Sequence, residues 1–229
     1  VRWVEQLPYA SLDGIWLYRL EVLGIYIFLL LFLYYLKTRR FRNLVVCFSC
    51  LLCLGIYHTV MRWYDRPCPS LVFYNVRGCP AIHCIAEDGT SWLNYADTLS
   101  DKRRLQAVAA NYWRRHQLLP PIEVTADCQN VDFCRHQQIV FYHGCRICMV
   151  TDNRWRNKSA ASPLFINYMY LCKGYNGRLE ELTGLFSPSC ILLDASLSDD
   201  RKQFFREECK RLHLHFITLS EEGSVRFLL

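Results

Sequence analysis

The residues with the means to do chemistry are the cysteines, the histidines and one basic stretch. Thirteen cysteines occur in 229 residues. Cys145-Arg146-Ile147-Cys148 has the C-x-x-C spacing of redox pairs and zinc sites. A redox pair opens a helix, where the dipole lowers the thiol pKa. This one lies in an apparent strand, between VFYHG and MVTD, and strand alternation sends residues three apart to opposite faces. Packing is therefore its better reading. Cys47, Cys50 and Cys53 recur at helical spacing in an apolar run, where a small polarizable residue suits helix packing. Ten more are scattered after it, and in an oxidising compartment some would pair in a connectivity that spacing does not fix. The one H-x-H, His213-Leu214-His215, closes a late helix and reads as surface or turn histidines. The basic stretch differs. Lys102, Arg103, Arg104, Arg114 and Arg115 crowd one predicted helix with Tyr112 and Trp113. Phosphate contacts plus base stacking are what single-stranded nucleic-acid binding needs, and a solvated basic face is the competing reading. An alternative chemistry gathers Asp97, Asp194, His83, His136 and His143 into an atypical metal-dependent hydrolase site, although they show no ligand spacing.

The elements that must position these residues begin with a hydrophobic hairpin. Val22 to Leu36 reads VLGIYIFLLLFLYYL, and Leu44 to Met61 reads LVVCFSCLLCLGIYHTVM. A bilayer core of roughly 30 Å takes about 20 mainly apolar helical residues. Two membrane-spanning helices are expected, at about 15–36 and 44–61. Arg19 and Glu21 are expected to snorkel to the interface beside Trp16 and Tyr18. Residues 1–14 read as an interfacial lead-in carrying Trp3 and Tyr9, and the opening at Val1 reads as a piece of something longer. Lys37, Arg39, Arg40 and Arg42 fill the turn between the helices. Short loops rich in Lys and Arg stay cytoplasmic, so the chain after about Asp65 is expected on the outer face, the periplasmic side in a bacterium. Residues 1–65 are thus the expected membrane segment and 66–229 the expected extracytoplasmic domain. The formal net charge of +6 permits an anionic partner without requiring one.

Beyond the Pro67/Pro69 linker, strands are expected at 71–76, 81–86 and 91–96, with Asp88-Gly89 as a hairpin turn. A helix follows over 102–116, with Leu105, Val108, Ala109 and Tyr112 on one face. Strands at 122–125, 138–142 and 147–151 come next, with His143-Gly144 as a turn. From Phe165 the pattern alternates: strand 166–171, helix 179–185, strand 190–193, helix 199–212, strand 215–219, and a last extended run at 225–229. Strands first and then β-α-β-α-β imply a layered α/β domain with a mixed sheet.

In order and spacing, several short motifs resemble the C-terminal part of the ComEC family of bacterial DNA-uptake channel proteins, particularly its divergent Bacteroidetes-type branch. The family's strand ending D-V-G-Q-G-D-A has its counterpart in Val72 to Ile82, and its I-D-T-G strand in Trp92 to Asp97. The family's L-K-x-x-H-H-G-S, helix, P-x-x-x-I-x-S is similar to Leu171 to Gly177, a helix, then Pro188 to Asp194. Its closing T-x-x-x-G-x-V resembles Thr218 with Glu222 to Val225, and the hairpin resembles its last membrane helices. The resemblance implies a metallo-β-lactamase-like fold. Active members hold two metals through H-x-H-x-D-H and further histidines, and that motif is absent from this sequence. The H-H-G-S position reads Lys173-Gly174-Tyr175-Asn176, and the D-V-G-Q-G-D position begins at Asn75. Asn75, Asp97 and Lys173 are then relic site positions in a degenerate domain expected to need no cofactor and not to hydrolyse nucleic acid. The implied setting is the bacterial inner membrane, multi-pass, with single-stranded DNA, the lipid bilayer and the rest of a longer channel or other competence proteins as partners. Lys102, Arg103, Arg104, Arg114, Arg115 and Trp113 are the candidate DNA contacts, and the oligomeric state is left open. The alternatives are the atypical hydrolase above and a membrane interaction module unrelated to DNA.

Overall fold

The computed structural model describes residues 17–95, 102–130 and 132–229. The lead-in with Trp3, Tyr9 and Trp16, and the relic position Asp97, lie outside the described residues. The chain forms two compact units. One comprises the N-terminal helices and Tyr112–Gln117; the other holds Pro67–Asn111 and Leu118–Leu229.

In the first unit, α1 (Arg19–Thr38) and α2 (Phe41–Tyr64) are each long and apolar enough to cross a membrane by length and composition. Their apolar side chains stand largely exposed, as at Leu30, Leu33, Phe48 and Leu52. The helices approach closely at Gly24, where a Cβ would sit 2.3 Å from Leu54 Cδ2. The turn between them is tight. Arg39 adopts a left-handed φ of 48° and its N–H bonds Tyr35 O at 2.7 Å, while Arg40 is the N-cap of α2. Glu21, expected to snorkel, is instead buried and meets His58 Nδ1 at 2.7 Å. It also accepts the Tyr18 N–H at 2.9 Å. A carboxylate that finds both a ring nitrogen and an orphan helix N–H is better satisfied there than at an apolar surface.

The second unit is built on two sheets. Strands β1 (Ser70–Phe73), β2 (Ala81–Ile85), β3 (Ser91–Tyr95), β4 (Ile122–Val124) and β12 (Val225–Leu228) form a five-stranded sheet in the order β12-β1-β2-β3-β4. It is antiparallel except for the β3–β4 pair, which α3 (Lys102–Arg115) connects. The other sheet runs β11-β10-β9-β8-β7-β6-β5. Its strands are β5 (Cys128–Gln129), β6 (Phe133–His136), β7 (Ile139–Tyr142), β8 (Cys145–Val150), β9 (Leu164–Leu171), β10 (Phe186–Leu193) and β11 (Phe216–Thr218). The β8 to β11 stretch is parallel and the β5 to β8 stretch antiparallel, so the sheet is mixed as expected.

Side-chain alternation decides the layers. Leu71, Phe73, Ile82, Cys84 and Trp92 of the first sheet share a core with Val140, Tyr142, Ile147, Met149, Tyr170 and Leu192 of the second. The neighbouring positions Cys148, Val150, Met169, Leu171, Ile191 and Leu193 face the other way. They pack with Leu179 and Leu182 of α4 (Leu179–Thr183) and Phe205 and Cys209 of α5 (Asp199–Arg211). Strands β8, β9 and β10 are thus covered on both faces, which is why they read as near-continuous apolar runs. Two features depart from expectation. Val108 is 57% exposed, so the buried stripe of α3 is Leu105 and Ala109. Short β5, β6 and α6 (Leu219–Glu222) add to the expected elements.

Candidate functional site

Parallel strands deliver their carboxyl ends, and the loops after them, to one edge of a sheet. Here three such ends and one hairpin loop enclose a cavity of about 470 Å³. Thr151 and Asp152 follow β8; Cys172, Lys173 and Gly174 follow β9; Ser196 follows β10. Gly78 and Pro80 come from the loop between β1 and β2.

Hydrogen bonds fix the Ser196 side of this cavity. Tyr170 Oη donates to Asp194 Oδ1, and the Ser196 N–H donates to Asp194 Oδ2 at 2.7 Å. Burial raises the Asp194 pKa above the carboxylate range, and the Ser196 and Tyr170 bonds only partly offset it. Ser196 Oγ in turn accepts the Lys173 N–H at 3.2 Å. Gly174 has φ +118°, and a Cβ there would lie 2.2 Å from Thr151 O. The two loops therefore approach as closely as they do because position 174 is glycine. On the rim, Asp152 is clasped by Arg154 through contacts of 2.8–3.0 Å. Its pKa falls because the Arg154 bonds outweigh the opposing effect of burial. Arg104 Nη1 donates to Arg77 O at 3.2 Å, steadying the β1–β2 loop. Asn75 N–H, in the same connection, donates to Ser224 Oγ at 2.9 Å.

These surroundings do not fit a catalytic metal. Among the described residues lining the cavity, Asp152 is the one carboxylate and is already held by Arg154, while Lys173 brings a cation. Among the described residues, no group of three or more His, Cys, Asp or Glu side chains is placed to hold a metal ion. The histidines of the alternative hydrolase site have separate partners: His83 meets Tyr74 Oη at 2.8 Å, and His136 meets Asp127 at 3.3 Å. Asp194 is used by Tyr170 and Ser196.

The basic positions of α3 are used unevenly. Lys102 pairs with Glu123 and lies over the Tyr95 ring at 4.9 Å. Arg104 serves the β1–β2 loop as above. Arg115 forks onto Asp65 with contacts of 3.2 and 3.3 Å. Burial pushes the Asp65 pKa up, but the bonds from Arg115 and Tyr18 pull it further down, for a net lowering. Arg103 and Arg114 are exposed, and Trp113 is half-buried. Of the loop cations, Lys37 closes α1, Arg39 and Arg40 make the turn, and Arg42 opens α2.

All thirteen cysteines are free thiols. Cys145 and Cys148 face the two opposite cores of the second sheet, as strand alternation requires. Burial raises the Cys148 thiol to about 12. Lys173, expected as a relic position, lines this cavity together with Thr151, Asp152 and Ser196, which the sequence did not single out. The available signal was positional: each directly follows an apolar strand of the parallel set.

The known proteins supply one match and two blanks. The family model for the ComEC C-terminal domain matches residues 71–229. No curated protein matches the chain, and no solved structure does. The matched stretch takes in both sheets and every loop around the cavity, and it follows two helices long and apolar enough to span a membrane. The chain belongs to the ComEC family of competence and DNA-uptake proteins, of which residues 71–229 are the C-terminal domain.

Proposed function

We propose that this chain is the C-terminal part of a bacterial inner-membrane DNA-uptake channel protein whose outer domain handles incoming single-stranded DNA without cutting it. The observation that carries the reading is the family match over residues 71–229. In this reading residues 1–65 are the end of the membrane region and 66–229 a degenerate metallo-β-lactamase-like domain on the periplasmic side. The orientation is supported by Lys37, Arg39, Arg40 and Arg42 clustering at the helix turn. Handling without hydrolysis is supported by the chemistry of the cavity, which offers an ammonium and an already paired carboxylate. A divalent metal that activates water needs neutral imidazoles and free carboxylates around an open position. Arg103 and Arg114 are the exposed α3 cations best disposed to meet DNA, since Lys102, Arg104 and Arg115 hold protein partners.

The test is a titration of the full chain in nanodiscs with a labelled single-stranded oligonucleotide, at several salt concentrations, with metal content assayed on the same sample. Phosphate contacts give log K falling with log salt by about 0.7 per contact. Salt-dependent binding, no stoichiometric metal and an intact oligonucleotide are expected. Cleavage, or one bound zinc or manganese per chain, would overturn the non-cutting part. Absence of binding would overturn the DNA-handling part.

A further inference from the structure

We propose that the cavity at the carboxyl ends of β8, β9 and β10 is a metal-independent phosphate site in which Lys173 supplies the cation. Naming the DNA backbone as the source of that phosphate rests on the function proposed above; the site itself does not.

The geometry makes the case in three steps. The cavity sits where open α/β sheets place their ligands, outside the carboxyl ends of parallel strands. Its walls are shaped by close backbone approach: Gly174 at φ +118° against Thr151 O, and Gly78 at φ +84° in the opposing loop. At Gly174 the space a side chain would fill is taken by Thr151 O, which fixes that wall, whereas Gly78 has open space where a side chain would stand and leaves its loop approachable by an anion. Finally, the charge is of the right sign. Among the described residues, Asp152 is matched by Arg154, buried Asp194 has Tyr170 and Ser196 on its two oxygens, and Lys173 lines the cavity as an exposed cation. A lysine ammonium binds phosphate as a point charge with three donors. It has no open coordination position from which to activate water, so it suits a site that grips and releases a phosphodiester intact.

Two measurements on the full chain in zwitterionic nanodiscs test this. In the first, acetylation of each lysine is followed by mass spectrometry at constant ionic strength. The additions compared are chloride, inorganic phosphate and a single-stranded oligonucleotide, with chelator present. Protection of Lys173 by phosphate and by the oligonucleotide, but not by chloride, is expected, with Lys210 as the internal reference. In the second, oligonucleotide binding is compared for wild type, Lys173→Gln and Lys173→Arg. The salt slope is expected to fall by about 0.7 in Lys173→Gln and to stay unchanged in Lys173→Arg. If the glutamine variant fails to fold, the wild-type footprint decides. Unchanged Lys173 reactivity under both anions overturns the site, even if DNA binds elsewhere. So does protection that appears only with added divalent metal. Protection by inorganic phosphate without any oligonucleotide binding leaves the site standing, makes free phosphate its ligand and overturns the DNA reading instead.

Discussion

Gly174 and Asp194 show how single residues set the cavity. Any side chain at 174 meets Thr151 O and a φ that L-residues rarely adopt. Gly174→Ala is expected to destabilise the domain by about 2–3 kcal/mol, read as a lowered denaturant midpoint at unchanged slope. An unchanged midpoint would show that the β8 and β9 loops yield freely. Asp194 carries a pH prediction. Its folded pKa is raised, chiefly by burial. Its stabilising contribution is therefore complete below the ordinary carboxylate pKa of about 3.9 and fades as pH rises through the folded value. Asp194→Asn cannot titrate. The stability of wild type minus variant, from denaturation at a series of pH values, is expected to be greatest in acid and to shrink toward neutrality. A flat difference would falsify the assignment. Lys173 was singled out only through the resemblance of Leu171 to Gly177 to the family's L-K-x-x-H-H-G-S. The role of Asp194 was not legible, because its partner Tyr170 lies on a neighbouring strand and no sequence period links the two.

At the scale of elements, the end of α2 is organised by Asp65. Its buried carboxylate accepts from Tyr18 Oη at 2.7 Å and from the Arg115 fork. Arg115→Ala strands that carboxylate with one side-chain donor, and a loss of about 1–3 kcal/mol is expected, measured by thermal unfolding in nanodiscs. The sign with pH is opposite to that of Asp194. The Asp65 pKa is lowered, so its contribution is present above about 3.9 and lost as pH falls through the folded value. The destabilisation by Arg115→Ala is accordingly expected to shrink in acid. The α1–α2 turn gives another test. Replacing Lys37, Arg39, Arg40 and Arg42 together with Gln removes the charges on which the proposed orientation rests, and protease accessibility of the C-terminal unit in right-side-out vesicles is expected to become mixed. The long elements were legible because periodicity and length state them directly. Strand β5, at two residues, is too short to show a period, and α3 hides its exposed Val108 among apolar neighbours.

At the scale of the whole molecule, the parallel run of β9 to β11 was readable from strand–helix alternation, but the place of β8 beside β9 and closure of the first sheet were not. Strand β12 returns to pair with β1, Ser70 opposite Leu228, across most of the second unit's length. Periodicity says nothing about which distant strands meet. That return is secured by Phe227, whose ring stands 4.5 Å from Tyr168 and 5.9 Å from Phe73. Phe227→Ala is expected to cost about 2–3 kcal/mol and to raise amide exchange in β1 ahead of β9. Uniform exchange would mean that β12 contributes little to closure. The free thiols carry a last consequence. Cys84, Cys148, Cys172, Cys190 and Cys209 are buried with raised pKa values, so in the fold they exist as unreactive SH groups. Unfolding removes that protection from all of them at once. In an oxidising medium each opening exposes these thiols to cross-linking, so survival depends on how often and for how long the domain stays open. Packing that looks ordinary in the native state thus doubles as a shield against covalent trapping of the opened chain.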